Sequence, residues 1–322
     1  MKLELAKTNK QLRLKAIFFN MIIRRMSAAK FKRLHVMADI LMKRNIKDIS
    51  ISKEILTYGN DKVTLPIYVY KSHDQQEKVP GVLWLHGGGY AMGSPSLSIG
   101  IISKLIAASG CVVVAPDYRL STEKPYPAAL DDCHQALLWM RDNANQLNIR
   151  DDQLMVGGES AGGGLAIALS LYERDHNGVK IAFQMPIYPM IDDRMINESA
   201  KNNNDPVWGS KVNKVAWQLY LSDLNREDVP IYAAPARAED LSNLPPLVSY
   251  VGDLDPFKDE ISIFVDKLKM YKIPVFFNIY KGCYHAFDIV NSQADVSKEA
   301  HSFFINAFKY AVENYYAKQN DI

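Results

Sequence analysis

Residues 157–164 read G-G-E-S-A-G-G-G, with Ser160 at the centre of the stretch. An apolar run at 154–156 precedes it, and a helix-like apolar run at 165–169 follows it. A strand, a G-x-S-x-G turn and a helix in that order predict a nucleophile elbow, a turn so tight that glycines must flank the serine. The start of the helix favours the negative charge that develops during acyl transfer. We therefore predict a catalytic serine; glycines that only let a helix cross close to a sheet are the alternative.

The composition is that of an ordinary folded protein, because 48% of the 322 residues are hydrophobic and 23% are charged. Cys111, Cys133 and Cys283 form no C-x-x-C pair. Neither a disulfide framework nor a zinc site is predicted, and we expect reduced thiols in the cytoplasm. The net charge is +2, but residues 1–50 carry 13 Lys or Arg against three acids. These basic residues form no nucleic-acid-binding module, and no segment predicts a secretion signal or a membrane span.

Two amphipathic helices are predicted near the N-terminus. Apolar residues at helical spacing form a first stripe within 10–27: Leu14, Ile17, Phe18, Met21 and Ile22. A second stripe comprises Phe31, Leu34, Ala38 and Leu41, and residues 45–48 end that helix. We expect both helices to pack their apolar stripes on the protein and to leave their basic faces in solvent. A position on an anionic membrane surface is the alternative.

Strands and helices alternate over the rest of the chain, which predicts a mostly parallel sheet with helices on both faces. The predicted strand 63–70 contains Pro66, which indicates an edge position. The apolar strand 81–85 is followed by H-G-G-G at 86–89. Glycines at the carboxyl end of a buried strand let backbone N–H groups turn towards an oxyanion. We interpret His86 as a residue that holds this loop, not as a catalytic base.

Acidic and basic residues follow three of the later strands. Arg119 and Glu123 lie in one loop, and we interpret them as an ion-paired support outside the catalytic set. Asp253 and Asp255 follow the next-to-last predicted strand, and His285 follows the last one. The chain order Ser, Asp, His is the one expected after such an elbow, although the spacing leaves both aspartates open. The remaining histidines lack metal-ligand spacing, so no metal site is predicted.

Residues 190–246 interrupt the alternation of strands and helices. We predict that this insertion and residues 1–48 form a helical cap on a catalytic domain that comprises 49–189 and 247–322. Four aromatic residues are predicted to contact the substrate: Tyr90, Tyr188, Trp208 and Phe287. Trp217 and Tyr220 are further candidates; aromatic residues that form a small core within the cap are the alternative.

Four motifs resemble, in order, those of the hormone-sensitive lipase family of α/β-hydrolases, in its bacterial carboxylesterase branch. They are H-G-G-G at 86–89, G-E-S-A-G at 158–162, D-P-F-K-D-E at 255–260 and H-A-F at 285–287. The resemblance extends from about Val79 to the C-terminus. Three positions depart from the family pattern: Glu159 replaces the usual Asp, Ser121-Thr122 replaces Ala-Pro, and Ala286 replaces Gly. These departures lie beside the catalytic positions, so they bear on subfamily and rate more than on the type of reaction.

The resemblance implies an α/β-hydrolase fold with a mostly parallel eight-stranded sheet, helices on both faces and a helical cap. It implies a triad of Ser160, Asp255 and His285, with an oxyanion hole formed by the backbone N–H groups of Gly87, Gly88 and Ala161. The expected function is that of a serine carboxylesterase that hydrolyses short-chain acyl esters of small molecules without a cofactor. A formamidase or amidase with the same triad, or a non-catalytic small-molecule receptor, is the alternative. The oligomeric state stays open, a homodimer included.

Overall fold

Eight strands form one mixed sheet in the computed structural model, which describes residues 5–23, 26–41, 49–75 and 77–320. The order is β1-β2-β4-β3-β5-β6-β7-β8. The strands are β1 (Ile49–Tyr58), β2 (Val63–Ser72), β3 (Val79–Leu85), β4 (Val112–Pro116), β5 (Ile149–Glu159), β6 (Phe183–Ile187), β7 (Leu247–Gly252) and β8 (Val275–Tyr280). The ladders from β4 to β8 are parallel, and β2 runs antiparallel to both of its neighbours. The predicted mostly parallel eight-stranded sheet is confirmed.

Helices surround this sheet, as expected for strands with continuous apolar sequences. They are α1 (Arg13–Ile23), α2 (Ala28–Leu41), α3 (Ile99–Ser109), α4 (Ala128–Asp142), α5 (Ala161–Asp175), α6 (Ser210–Tyr220), α7 (Lys258–Met270), α8 (Phe287–Val290) and α9 (Asp295–Asn314). Helices α3 and α9 pack on each other, and α4 packs on α5. The central strands β3, β4 and β6 are buried almost throughout, so the main core lies between the sheet and these helices.

The prediction that Pro66 marks an edge strand is wrong. Strand β2 lies inside the sheet, because it pairs with β1 at Pro66 and with β4 from Ile67 onwards. Pro66 lies at the end of the β4 ladder, where its carbonyl oxygen accepts a hydrogen bond from the Asp117 N–H at 2.9 Å. The N and the C=O of a residue in an antiparallel strand face the same neighbour, so the missing proline N–H falls at the end of this ladder and not in the pairing with β1.

The expected orientation of the first helix is also wrong. In α1 the side facing the protein carries Ala16 and Ile23, both buried, whereas most of the predicted apolar stripe faces solvent. The exposed members of the stripe are Leu14, Ile17, Phe18 and Met21. Phe31 of α2 is buried, as expected. The predicted end of the second helix at 45–48 lies outside the described residues, and so do the side chains of Ala38 and Leu41.

The predicted partner of Arg119 is wrong as well. Its guanidinium pairs with Asp132 of α4 at 3.0 Å, not with Glu123. The Asp132 carboxylate is fully buried and also accepts hydrogen bonds from the Arg119 backbone N–H and the Tyr58 hydroxyl. This network ties β1, the loop after β4 and the start of α4 together beside the loops that carry the predicted site.

Candidate active site

Ser160 occupies a strained turn between β5 and α5. Its backbone has φ 56° and ψ −116°, a conformation that L-residues rarely adopt. Gly158 and Gly162 permit the turn, because a Cβ atom on either of them would collide with the carbonyl oxygen of Leu85 at the end of β3. The Ser160 N–H donates to the Ile187 carbonyl at 2.9 Å, which fastens the turn to β6. The structure thus has the strand, tight turn and helix expected of a nucleophile elbow.

The structure brings Ser160, His285 and Asp255 into one chain of hydrogen bonds. His285 Nε2 lies 2.9 Å from Ser160 Oγ, and His285 Nδ1 lies 2.7 Å from Asp255 Oδ2. The other carboxylate oxygen of Asp255 accepts the Phe257 N–H at 2.9 Å, so the carboxylate is held from two sides. Asp253, which the sequence left as an alternative, instead accepts the Gly282 N–H at 2.7 Å.

His285 is buried among acidic groups, and this environment changes the basicity of its ring. Burial by itself lowers the pKa of an imidazole. The hydrogen bond and charge of Asp255, with the nearby charge of Asp205, outweigh burial and raise the pKa of His285 above its ordinary value. A more basic imidazole beside a serine hydroxyl is suited to accept the hydroxyl proton.

Asp205 is a site residue that the sequence did not reveal. Its Oδ2 accepts the backbone N–H of His285 at 2.6 Å, while its Oδ1 accepts the N–H groups of Val207 at 2.7 Å and Trp208 at 2.8 Å. Burial and the neighbouring charge of Asp255 raise the pKa of Asp205 to about 7. One buried carboxyl group therefore joins the histidine loop to the segment that carries Trp208. In the sequence it was one member of a polar stretch, with no pattern relating it to His285.

The glycine loop after β3 lies directly against the elbow. A Cβ atom on Gly87 would lie 3.4 Å from the Cβ of Ser160, and Gly88 has a φ of +127° that favours glycine. Ala161 is the first residue of α5, where a helix leaves its N–H groups without intrahelical partners. Gly87 and Ala161 of the predicted oxyanion hole thus lie next to the serine, and Gly88 follows Gly87 in the same loop.

His86 is packed as a structural residue at the base of this loop. Its ring stacks on Tyr118 with centroids 4.1 Å apart, and its Nδ1 lies 2.8 Å from the Gly87 carbonyl oxygen. Complete burial, only partly opposed by that hydrogen bond, lowers the pKa of His86 to about 4. The ring is therefore neutral at physiological pH and fixes the loop through the bond to Gly87.

Two of the four predicted substrate contacts lie against His285. The Tyr188 ring is 4.9 Å from the His285 ring, and the Trp208 ring is 6.2 Å from it. Tyr90 lies in the glycine loop, where its hydroxyl donates to the Met190 carbonyl at 2.8 Å. The Phe287 ring contacts Tyr250 and Tyr280 in the core behind the histidine loop. The sequence did not identify Phe257, whose ring lies 5.0 Å from that of His285.

Glu159, which precedes the serine, is buried and is bound by two donors. Trp84 Nε1 and Ser98 Oγ each donate to its Oε2 at 2.9 Å. Burial outweighs these two bonds, and together with the charge of Asp288 it raises the pKa of Glu159 to about 8. Glu159 is therefore mostly protonated at neutral pH and acts as a neutral anchor for the end of β5.

Two further properties concern metals and membranes. Within the described ranges, no group of three or more His, Cys, Asp or Glu side chains is placed to hold a metal ion. In the same part of the chain, no helix has the length and apolarity needed to cross a bilayer.

The sheet order and the elbow are those of an α/β-hydrolase. A protein family described as having the alpha/beta hydrolase fold matches residues 82–289. The chain therefore belongs to the hormone-sensitive-lipase-like family of α/β-hydrolases, as the four sequence motifs predicted.

Several characterised or solved proteins are similar over most of the chain. Esterase LipI of Mycobacterium tuberculosis is 32% identical over 210 residues, which span 65% of this chain and 66% of LipI. An arylesterase of Saccharolobus solfataricus is 33% identical over 232 residues, which span 69% of this chain and 72% of that enzyme. Among solved structures, a bacterial heroin esterase superposes with a TM-score of 0.86 at 27% identity, over 96% of this chain and 99% of the other.

Proposed function

We propose that this protein is a serine carboxylesterase that hydrolyses short-chain acyl esters of small molecules. The family and the esterases among its relatives support a carboxylic ester hydrolase. The observation that carries the serine mechanism is the hydrogen-bond chain from Ser160 Oγ through both nitrogens of His285 to Asp255. A hydroxyl, a base and an orienting carboxylate in this geometry are the parts that acyl transfer requires.

In the first step, His285 Nε2 takes the proton of Ser160, and the serine oxygen attacks the ester carbonyl carbon. Asp255 holds the ring through Nδ1 and stabilises the imidazolium that forms. The negative charge on the former carbonyl oxygen is bound by the N–H groups of Gly87, Gly88 and Ala161. His285 then gives its proton to the departing alcohol, and the acyl group stays on Ser160.

In the second step, water replaces the alcohol. His285 removes a proton from the water, which attacks the acyl carbonyl, and the same N–H groups bind the oxyanion. The proton returns to Ser160 as the carboxylic acid leaves. Both steps use groups of this chain alone, and we propose no cofactor.

Bulky side chains around the site support a short acyl group. Trp208 and Tyr188 lie against His285, and Trp208 also fills the space in front of Gly89, where a Cβ atom would collide with its indole ring. Ser160 and His285 are only 5% and 3% exposed. With p-nitrophenyl esters of increasing acyl length, we expect turnover to peak at short chains. A maximum beyond C10 would contradict this specificity.

The mechanism is tested by removing the serine hydroxyl. Ser160→Ala should lower kcat for p-nitrophenyl acetate by on the order of 10⁶ and abolish labelling by a fluorophosphonate. Ser170→Ala is a matched control, since Ser170 is a buried serine of the helix that follows Ser160, and its hydroxyl donates to the Ala166 carbonyl. Near wild-type turnover by Ser160→Ala would exclude the mechanism. An intact protein that the probe does not label would indicate a receptor, and faster turnover of a matched amide than of the ester would indicate an amidase.

We also propose that the chain acts as a catalytic domain, 49–189 with 247–322, under a cap built from 1–48 and 190–246. The contact between Phe31 of α2 and Trp208, with ring centroids 6.1 Å apart, supports a cap made from both segments. We place the protein in the cytoplasm, which the three buried free cysteines support.

A further inference from the structure

Helix α1 presents a row of large apolar side chains to solvent. Leu14 is 83% exposed, Met21 68%, Phe18 56% and Ile17 43%. At about 100° per residue, these four side chains occupy an arc of roughly 100° on the helix. Ala16 and Ile23, the buried residues of α1, lie on the opposite side. The exposed row is therefore a second, separate apolar face of a helix that is already docked on the protein by its first.

The segment around this face is strongly basic. Residues 5–36 contain nine Lys or Arg and no Asp or Glu. Lys10 precedes α1 by one turn, Lys15 lies in it, and Lys32 and Arg33 lie in α2; all four are exposed. A partner that accepts these apolar side chains therefore gains further attraction from the segment if it carries negative charge.

The same segment is tied to the loop that carries His285. The Asn9 N–H donates to the Gly282 carbonyl at 2.8 Å, and the Tyr284 hydroxyl donates to the Leu12 carbonyl at 3.3 Å. A partner that binds α1 therefore lies close to the loop that carries His285.

We propose that α1 binds the surface of an anionic lipid bilayer, with Leu14, Ile17, Phe18 and Met21 inserted between the headgroups and the basic residues against the phosphates. Interfacial helices combine an apolar face with lysines and arginines in this way. A second copy of this chain packed with its α1 against the first α1 is a poorer partner, because it would bring another nine positive charges against the first nine. The surface would hold the esterase next to substrates dissolved in the membrane.

The experiment is co-sedimentation of the 322-residue chain with vesicles of phosphatidylcholine alone or with one quarter phosphatidylglycerol. We expect binding to the anionic vesicles that weakens as salt is raised, and little binding to the neutral ones. The triple variant Leu14→Gln, Phe18→Gln, Met21→Gln should reduce the fraction bound about tenfold or more. Lys10→Glu with Lys15→Glu should also reduce it, by about fivefold or more.

The matched control is Ile263→Gln with Met270→Gln on α7, where the two side chains are 52% and 81% exposed. This variant should bind like the wild type, and so should Ser160→Ala, so that loss of binding and loss of catalysis are separable. Turnover of soluble p-nitrophenyl acetate should be unchanged in the α1 variant. Absence of binding to anionic vesicles, equal binding by the α1 variant, or equal binding to neutral vesicles would overturn the proposal. The proposal would also be overturned if sedimentation velocity showed that the wild type is a dimer and the α1 variant is a monomer.

Discussion

A single carboxyl group, that of Asp205, holds three backbone N–H groups at once, and one of them belongs to His285. His285 therefore lies between two carboxylates: Asp255 binds its ring, and Asp205 binds its main chain. The first can orient the imidazole, whereas the second fixes the loop on which the imidazole stands. The charge of Asp205 also contributes to the raised pKa of His285. We infer that Asp205 is a positioning residue for the reaction.

Asp205→Asn tests this role. The variant loses the charge, and its amide NH₂ faces one of the N–H groups that the carboxylate had accepted. We expect kcat/KM at pH 8 to fall by about tenfold or more, as for the loss of a charged hydrogen bond. Because the Asp205 charge raises the pKa of His285, its removal lowers that pKa, and the acid limb of the pH–kcat/KM profile should move to lower pH. If kcat/KM falls but the acid limb does not move, Asp205 has a purely structural role. In that case Asp205→Glu should fail to restore kcat/KM.

Glu159→Gln tests the second buried acid at the elbow. The folded-state pKa of Glu159 is raised to about 8 from an ordinary 4.5, so the folded protein binds more protons than the unfolded chain between these values. Wild-type stability should therefore decrease as the pH rises through this window. The glutamine keeps an oxygen for Trp84 and Ser98 but cannot ionise.

We expect Glu159→Gln to be close to wild type in urea unfolding at pH 5 and more stable by on the order of 4 kcal/mol at pH 9. The control is Glu198→Gln at an exposed position, which should change the free energy of unfolding by less than about 0.5 kcal/mol at either pH. A constant difference between Glu159→Gln and wild type at both pH values would contradict the assignment.

The network of Asp132, Arg119 and Tyr58 fixes three parts of the chain that are distant in sequence. Asp132 is fully buried, and the side chain of Arg119 is 27% exposed. Removing one partner of such a pair leaves the other without its counter-charge. The network thus holds the start of α4 and the end of β1 against the loop after β4.

Asp132→Ala should destabilise the protein by about 3 kcal/mol, the lower end of the range for a broken buried pair because Arg119 retains some contact with water. The neighbouring Asp131→Ala, at an exposed position of the same helix, should change the free energy of unfolding by less than about 0.5 kcal/mol. Chemical denaturation of both variants at pH 7 measures the difference. Equal stability of the two variants would show that the network contributes little.

The elements that the sequence predicted correctly are those whose signal lies in consecutive residues. The apolar runs of the central strands and the tight G-E-S-A-G turn follow from local sterics, and the order of the motifs indicates which loops meet. The partner of Arg119 could not be predicted from the sequence, because tertiary packing brings Asp132 next to Arg119. Glu123 is nearer in sequence, but it is not the partner. Helical periodicity likewise predicted the apolar stripe of α1, but it could not predict which side of the helix is buried. The helix packs on the protein through Ala16 and Ile23, on the opposite side from the stripe.

The site lies where three separate parts of the chain meet. The sheet contributes Ser160 and its glycine loop, the C-terminal loops contribute Asp255 and His285, and the insertion contributes Trp208. The N-terminal helices complete this arrangement through Phe31. A substrate must therefore displace or pass side chains of the proposed cap, and the cap, more than the sheet, should determine specificity.

Trp208→Ala tests whether the proposed cap determines the specificity for the acyl chain. Its ring lies between the glycine loop and His285, so truncation should open space beside the serine for a longer acyl group. We expect the ratio of kcat/KM for p-nitrophenyl octanoate to that for the acetate to rise about tenfold or more, in line with several methylene groups of new apolar contact. Trp217→Ala is the matched control: its ring is also buried in the insertion, and it packs on Tyr90 and Tyr220. If both variants lose activity in parallel without a change in that ratio, Trp208 supports the fold of the insertion and does not limit the acyl chain.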